Sequence, residues 1–322
     1  MLKNLIVAIV LLLASIGAAT AGQNMTIANA AGGTSPQQIA ADAFAAELER
    51  LLPGQFKVSQ KGASAMGGEQ DLWEALRLGA LDLAIITTTS IAPDVPQLGI
   101  FDVPYLFRDA AHAAIVLDGA IGRDLGAKIN GRGAVFLGFV DRGFRHITNS
   151  RHPIRSPLDM AGLRIRIIPN PIMETTFKTL GAEAIQMPIP EVFGALRERR
   201  IDGQENPLLV IETRRFDQVQ KYLSLTGHTY SPAVILISAD TYKRLKPPER
   251  KAFARASGVA AAASRQAVID KEKAAIAFIK QQGVAVIEAP DRTAFIAALA
   301  PLQPEWEKRF GAALLKQIRE AR

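Results

Sequence analysis

The residue in this sequence best suited to binding chemistry is an arginine in an otherwise apolar stretch. Arg166 is flanked by Ile165 and Ile167 in residues 163–168, which alternate as a β-strand does. A buried guanidinium needs a partner, because an unpaired charge is costly in a protein interior. Arginine also matches a carboxylate with two parallel hydrogen bonds. The pattern therefore admits either a carboxylate-binding arginine or a structural one that faces solvent or pairs with Glu205.

A second arginine of this kind cannot be chosen by spacing alone. Arg142, Arg145 and Arg151 lie close together, and any of them could be a surface charge. Residues 202–207 (Asp-Gly-Gln-Glu-Asn-Pro) form a dense polar segment between apolar runs. Such a segment offers amide and backbone donors in fixed positions, or it is only a turn.

The usual signatures of an enzyme or a metal site are absent from the sequence. It has no phosphate-binding loop, no G-x-S-x-G motif and no G-x-G-x-x-G motif after a strand. Without cysteine it has no thiol nucleophile, thiolate metal site or disulfide. The four histidines show no metal-ligand spacing: His112, His146, His152 and His228. We therefore expect no enzyme activity, no cofactor and no metal.

Composition limits the class of protein and its partners. The 322 residues are 48% hydrophobic and 21% charged, which suits a folded chain with room for two lobes. The formal net charge is +7, but basic and acidic residues alternate along the chain and form no basic block. Nucleic acid is therefore not an expected partner, whereas a small anion fits.

Residues 1–21 are typical of a secretory signal peptide. Lys3 precedes a short apolar run, residues 5–13, and Ala19-Thr20-Ala21 is a cleavage site of the A-x-A type. The alternative is an uncleaved anchor, although the run is too short to span a bilayer comfortably. We expect export to the periplasm, and the lack of cysteine excludes lipoprotein attachment.

Alternating strand and helix patterns predict parallel β-α-β units. A first strand, residues 25–29, leads through a Gly-rich turn to a helix capped by Ser35, with Pro36 at its first position and Gln38 completing a capping box. The turn is either a tight connection or a ligand-facing loop at a helix N-terminus. We expect one helix over residues 110–129, and the pattern restarts after His146.

Residues 248–281 are rich in alanine and contain no internal proline. They predict one helix about 50 Å long, more than one lobe needs. We infer that this helix spans and braces both lobes.

Several blocks of sequence, in order, resemble the solute-binding subunits of tripartite ATP-independent periplasmic (TRAP) transporters, of the dicarboxylate-binding type. The resemblance covers nearly the whole mature chain and is most specific between Arg145 and His228. The blocks are Gly67-Gly68-Glu69, Leu-Gly-Ala-Leu-Asp (78–82), Phe-Asp-Val-Pro-Tyr-Leu-Phe (101–107), Pro-Ile-Arg-Ser-Pro-Leu-Asp-Met (153–160), Gly-Leu-Arg-Ile-Arg (162–166), Leu-Gly-Ala (180–182), Glu-Val-Phe (191–193), Asp-Gly-Gln-Glu-Asn-Pro (202–207) and Val-Gln-Lys-Tyr (219–222).

The resemblance implies an α/β, periplasmic binding protein-like fold: two α/β lobes with a central ligand cleft and a long helix across both. Residues 22–143 plus 232–271 would form lobe I, and residues 144–231 plus 272–322 lobe II. It also implies closure around an organic acid and delivery of that acid to membrane permease subunits, and we expect the chain to be a monomer.

The resemblance implies site residues as well. Arg166, the second arginine of Gly-Leu-Arg-Ile-Arg, matches the position that pairs with the substrate carboxylate. Arg145 matches a second arginine contact and is preferred to Arg142 because it fits the spacing Arg-x-x-Thr-Asn. Asn206 matches a ligand-contacting asparagine, and His228 a position near the ligand's water network. The other expected ligand-binding residues are Glu69, Asn29, Thr87 and Ile189.

Two departures from the family argue against sialic acid as the ligand. Residues 87–90 carry hydroxyls where the sialic acid binders place a glutamate, and Ile189 stands where they use an aromatic residue. Phe193 also stands where the family often has tyrosine. The hydroxyl-bearing loop favours a hydroxylated or dicarboxylic acid. The sequence leaves two other functions open, a ligand-sensing module feeding a membrane receptor and a periplasmic hydrolase or lyase.

Overall fold

A computed structural model describes residues 22–322, so the expected signal peptide lies outside the described residues. The chain forms two β-sheets with helices on their faces. The first sheet contains β1 (Gln23–Asn29), β2 (Phe56–Lys61), β3 (Leu83–Thr87), β4 (Ala134–Val140) and β10 (Ala233–Ser238). The second contains β5 (Arg145–Asn149), β6 (Arg164–Ile167), β7 (Glu183–Gln186), β8 (Gly203–Pro207), β9 (Tyr222–Ser224) and β11 (Ala285–Ile287). The expected α/β fold with two lobes is confirmed, and each sheet with its helices is one lobe.

Both sheets are mixed. The first has the order β2-β1-β3-β10-β4, in which β1 is parallel to β2 and β3 while β10 runs antiparallel to its neighbours. The second has the order β11-β9-β5-β8-β6-β7. The chain crosses between the lobes after β4 and again before β10, and Phe144 pairs with Tyr230 where the two crossovers meet.

Apart from one, the helices have at most 16 residues. In the first lobe they are α1 (Pro36–Leu51), α2 (Glu69–Arg77), α3 (Thr88–Ile91), α4 (Ala110–Asp118) and α5 (Ala120–Gly126). In the second they are α6 (Pro171–Thr179), α7 (Ile189–Arg197) and α8 (Leu208–Thr213). The rest are α9 (Ala239–Arg244), α10 (Pro247–Gln281), α11 (Arg292–Leu299), α12 (Gln303–Phe310) and α13 (Ala312–Glu320). Short 3-10 helices cover Pro96–Asp102, Ala127–Ile129, Pro157–Met160, Phe216–Gln218 and Ala300–Leu302.

The prediction of a single helix over residues 110–129 is wrong, because the helix is interrupted at Gly119. This residue has extended backbone (ψ −175°) and caps both α4 and α5. A Cβ atom there would lie 2.7 Å from the carbonyl oxygen of Ile115, so a side chain does not fit without a shift. The apolar positions continue with helical spacing on both sides of Gly119, so the sequence pattern does not show the interruption. The backbone angles of Gly119 do.

Helix α10 spans both lobes, as expected. It has 35 residues and is therefore about 52 Å long. Near its start, Phe253 packs edge to face on Phe44 of α1, with ring centroids 5.7 Å apart. Near its end, Ile279 is buried among apolar side chains of the second lobe. Because one rigid helix packs on both lobes, it limits how they move relative to each other.

The C-terminal helices pack on different lobes. Phe295 of α11 is buried in the core of the second sheet. Trp306, Leu315 and Ile318 of α12 and α13 are buried in a core that belongs to the first sheet. Residues 303–320 thus pack on lobe I, although the expected division gave all of 272–322 to lobe II; the lobe boundaries themselves stay a prediction. Within residues 22–322 we find no helix with both the length and the apolar character to cross a bilayer.

Candidate functional site

A cleft lies between the lobes and has a volume of about 410 Å³, its opening included. The first lobe contributes the polar side chains of Gln37, Glu69, Gln70 and Ser90. The crossover and the second lobe contribute Arg142, Arg166, Asn206 and Arg214. The apolar part of the wall comprises Ala30, Ala31, Ile168, Ile189 and Val210. Three arginines against one glutamate make this wall cationic, which favours an anionic ligand.

Arg166 has one edge of its guanidinium fixed and one nitrogen without a partner. It lies on β6 between β7 and β8 and is 2% exposed. Its Nε and Nη2 donate to the carbonyl oxygen of Met187, at 2.8 and 2.6 Å. Its buried Nη1 has no hydrogen-bond partner in the described chain. Burial lowers the pKa of Arg166 to about 10, so the group is charged at neutral pH and needs an acceptor in the cleft.

Arg142 is a second buried arginine with spare donor capacity. It lies in the crossover that follows β4, where its Nη1 donates to the hydroxyl of Ser231 at 2.9 Å. Its buried Nε has no partner among residues 22–322. Burial lowers the pKa of Arg142 to about 10 as well. Two cationic groups on the same wall therefore each retain an unbonded N–H.

Arg145 is fully buried and lies behind the wall, contrary to the expectation that it lines the cleft. Its Nε and Nη2 donate to the carboxylate of Glu205, the Nη2 contact at 2.7 Å, and its Nη1 donates to Ser231 at 3.0 Å. Nη2 also reaches the backbone oxygen of Glu205 at 2.7 Å. Burial raises the pKa of Glu205, but Arg145 and His228 outweigh it and bring the pKa to about 2. Glu205 thus pairs with Arg145, not with Arg166, and Arg142 takes the wall position.

Glu69 lies in the wall of the cleft, where two hydroxyl groups hold its carboxylate in place. It is the first residue of α2, and it accepts hydrogen bonds from the amide of Thr87 (3.3 Å), the Thr87 hydroxyl and the Ser90 hydroxyl (2.5 Å). Thr87 itself is buried and does not line the cleft. The hydroxyl-bearing loop that the sequence assigned to the ligand therefore bonds to a carboxylate of the protein.

Asn29 acts on the shape of the first loop. Its Oδ1 accepts from the backbone N–H groups of Ala31 (3.1 Å) and Gly32 (2.8 Å), and its Nδ2 donates to Gln38 at 2.9 Å. This Asx turn presents Ala30 and Ala31 to the cleft, while Asn29 stays behind them. The side chain of Gln38 is used here and not in the expected capping box.

Gln37 is a polar wall residue that the sequence did not single out. It follows Pro36 in the first turn of α1. Ser35 caps this helix, because its hydroxyl accepts a hydrogen bond from the backbone N–H of Gln38 at 3.2 Å. Gln37 is only 1% exposed, and its Oε1 has no hydrogen-bond partner in the described chain. The available signal was its place directly after the Gly-rich loop, at a helix N-terminus.

Asn206 lies on the wall with its amide held in one orientation. Its Nδ2 donates to Gln204 at 2.5 Å, and its Oδ1 accepts from Arg145 at 3.3 Å. His228 lies behind it, 3.3 Å from the Glu205 carboxylate and 2.8 Å from the Thr226 hydroxyl. Burial lowers the pKa of His228, although Glu205 opposes that shift.

Arg214 connects the two lobes at the cleft. It follows α8 of the second lobe, and its Nη2 donates across to the carbonyl oxygen of Ala30 and, at 2.8 Å, to the hydroxyl of Ser64. Its buried Nε has no partner in residues 22–322. Sequence reasoning missed Arg214 because its partners belong to the other lobe, and because Arg215 beside it offers the same chemistry. In the structure Arg215 turns outward and pairs with Asp217.

The structure therefore divides the expected site residues into two groups. Those that line the cleft are Arg166, Asn206, Glu69 and Ile189. Those that lie behind its wall are Arg145, Asn29, Thr87 and His228. Within residues 22–322 we find no group of three His, Asp or Glu side chains placed to hold a metal ion.

Comparison with known proteins decides the family. Residues 27–309 match the model of the bacterial extracellular solute-binding proteins, family 7. The chain belongs to this family. The 2,3-diketo-L-gulonate-binding periplasmic protein of Escherichia coli is 37% identical over 83% of this chain and 81% of its own length. Members of the family are substrate-binding components of transport.

Solved TRAP periplasmic solute-binding proteins share the fold and the two-lobe architecture. The protein from Polaromonas sp. JS666, bound to D-erythronate, superposes with a TM-score of 0.92 at 38% identity, covering 93% of this chain and 99% of that one. The sugar acid binding protein of Advenella mimigardefordensis, in complex with galactonate, gives a TM-score of 0.90 at 33% identity over 93% and 97%. The expected resemblance to TRAP solute-binding proteins is confirmed.

Proposed function

We propose that this chain is the periplasmic solute-binding protein of a TRAP-type transporter, which captures a small organic acid, a dicarboxylate or a sugar acid, by its carboxylate. The observation that carries the proposal is the pair Arg166 and Arg142, two buried cations on one wall with an unbonded N–H each. A carboxylate supplies acceptors to both, and it replaces its own hydration with charge-assisted hydrogen bonds. Asn206 beside them offers a fixed amide. The acids named for the relatives support this ligand class.

Closure follows from the same contacts. A ligand that touches Arg166 in one lobe and Glu69 in the other binds the closed form better than the open form, so it shifts the population toward closure. The closed monomer then delivers the acid to membrane permease subunits, which reopen it. Proteoliposomes that contain those subunits are expected to accumulate labelled acid only when this chain is added.

A thermal-shift screen of the chain without its first 21 residues tests the binding step. An organic acid at about 100 times its Kd should stabilise the protein by about 2.7 kcal/mol and raise Tm by several degrees. D-erythronate, D-galactonate and succinate are suitable probes. Erythritol has the hydroxyls of erythronate without the carboxylate, and it should leave Tm unchanged. A rise with erythritol but with none of the acids would overturn the proposal.

A further inference from the structure

The first-lobe side of the cleft offers acceptors, whereas the side with Arg166 and Arg142 offers donors. The Glu69 carboxylate lines the cleft, and its Oε1 receives one long hydrogen bond, 3.3 Å from the Thr87 amide. A carboxylate oxygen has room for a further donor, and an ionised carboxylate can only accept. The unbonded Oε1 of Gln37 is a second acceptor on the same side.

The third arginine does not turn this side into a second carboxylate site. Arg214 already donates from Nη2 to the Ala30 carbonyl and the Ser64 hydroxyl, across the lobes. Its unbonded group is the single N–H of Nε. A carboxylate is held best by two parallel N–H groups, while one N–H suits a single oxygen.

Resting on the proposed function, we propose that Glu69 and Gln37 form a hydroxyl-binding subsite, and that the ligand is a hydroxylated monocarboxylic acid, not an unsubstituted dicarboxylic acid. A hydroxyl donates to Glu69 or Gln37 and accepts from Nε of Arg214. A second ionised carboxylate has lone pairs only, so it would place negative oxygen against negative oxygen at Glu69. Buried acceptors left without donors cost free energy, and this cost separates the two ligand classes.

Acids matched in chain length test the ligand class. Calorimetry compares D-erythronate with succinate, both of four carbons, and D-galactonate with adipate, both of six. The hydroxylated acid of at least one pair is expected to bind roughly tenfold or more tightly than its dicarboxylic partner. Tighter binding of succinate or adipate than of either hydroxylated acid would overturn the inference and leave the proposed function standing. Binding of none of the four acids would overturn both.

Replacement of the Glu69 carboxylate with an amide tests the subsite itself. Glu69→Gln keeps an acceptor for the Thr87 and Ser90 hydroxyls, loses the long hydrogen bond from the Thr87 amide and presents N–H groups to the cleft. Its affinity for the hydroxylated acid should fall roughly tenfold, and its affinity for the matched dicarboxylate should rise. Gln37→Leu should lower the affinity for the hydroxylated acid without raising the affinity for the matched dicarboxylate.

Glu74→Gln is the matched control, because Glu74 lies on the same helix and faces solvent. It should change neither affinity, and urea unfolding of each variant shows whether the fold is kept. An equal loss of affinity for both acids in Glu69→Gln would assign Glu69 a purely structural role and refute the subsite.

Discussion

Three buried arginines of the same chemistry end in different environments, and a single glutamate decides which is which. Glu205 takes Arg145 as its ion-pair partner, and both side chains are inaccessible to solvent. Arg142 and Arg166 have no such acid and instead bond to one hydroxyl and one carbonyl oxygen. Their unbonded N–H groups are unfavourable in a buried environment, and the proposed ligand would remove this cost by accepting from them.

Arg145→Ala should lower the free energy of unfolding by about 3–5 kcal/mol, because it leaves the buried Glu205 carboxylate without its arginine partner. Arg142→Ala removes one hydrogen bond, to Ser231, and should cost only about 1 kcal/mol. Its ligand affinity should nevertheless fall. Urea unfolding and calorimetry on both variants measure the two effects. Comparable losses of stability would contradict the assignment of Arg145 as structural.

His146 should stay neutral in the folded protein well below pH 6. Burial lowers the pKa of His146 to about 3, with His228 and Arg145 adding to the shift, and its Nδ1 accepts from the Gly227 amide at 3.1 Å. The folded pKa is below the unfolded value of about 6.5, so this stability is present above pH 6.5. It is lost toward pH 3, by up to about 1.4 kcal/mol per pH unit.

Proton NMR of the imidazole ring checks this directly. The His146 signal should not move between pH 7 and 5 in the folded protein, whereas it should titrate in urea. A midpoint near pH 6 in the folded state would refute the burial of a neutral ring.

At the scale of elements, sequence periodicity predicted the strands β1 and β6, the α1 cap at Ser35 and the long α10, but it treated residues 203–207, which form β8, as a polar segment or a turn. It could not show which strand neighbours which, and therefore could not show that β5 and β8 lie side by side. That pairing, with Ile147 opposite Glu205, is what brings Arg145 to its acid. Arg142 and Arg145 look alike in sequence because their difference arises from a contact 60 residues away. Arg214 was missed for the same reason, since its partners belong to the other lobe.

Arg214→Gln should speed dissociation of the ligand, because the closed form loses hydrogen bonds from the guanidinium to Ala30 and Ser64 across the cleft. Two such bonds contribute about 1–3 kcal/mol together, so the dissociation rate should rise roughly tenfold. Arg215→Gln is the control, since the exposed Arg215 side chain turns away from the cleft and pairs with Asp217. Stopped-flow fluorescence measures both rates. Equal dissociation rates in the two variants would rule out a closing role for Arg214.

At the scale of the whole molecule, the lobes touch through few polar contacts beside the cleft. Besides Arg214, Asn170 of the second lobe donates to the Thr89 carbonyl (2.9 Å) and to the Asp102 carboxylate (3.0 Å) of the first. The two crossovers and α10 also join the lobes. A small number of interlobe bonds suits the proposed opening and closing, because a ligand can supply the difference in free energy between the two forms.

The central claim is that Arg166 binds the ligand carboxylate, and calorimetry of Arg166→Ala with the acid that gives the largest thermal shift tests it most directly. Removal of a buried, charged donor should cost 2 kcal/mol or more, which corresponds to about a 30-fold or larger increase in Kd. Arg155→Ala, an exposed arginine of the same lobe, should bind like the unaltered protein. A folded Arg166→Ala variant with a Kd within about threefold of the unaltered protein would contradict the claim.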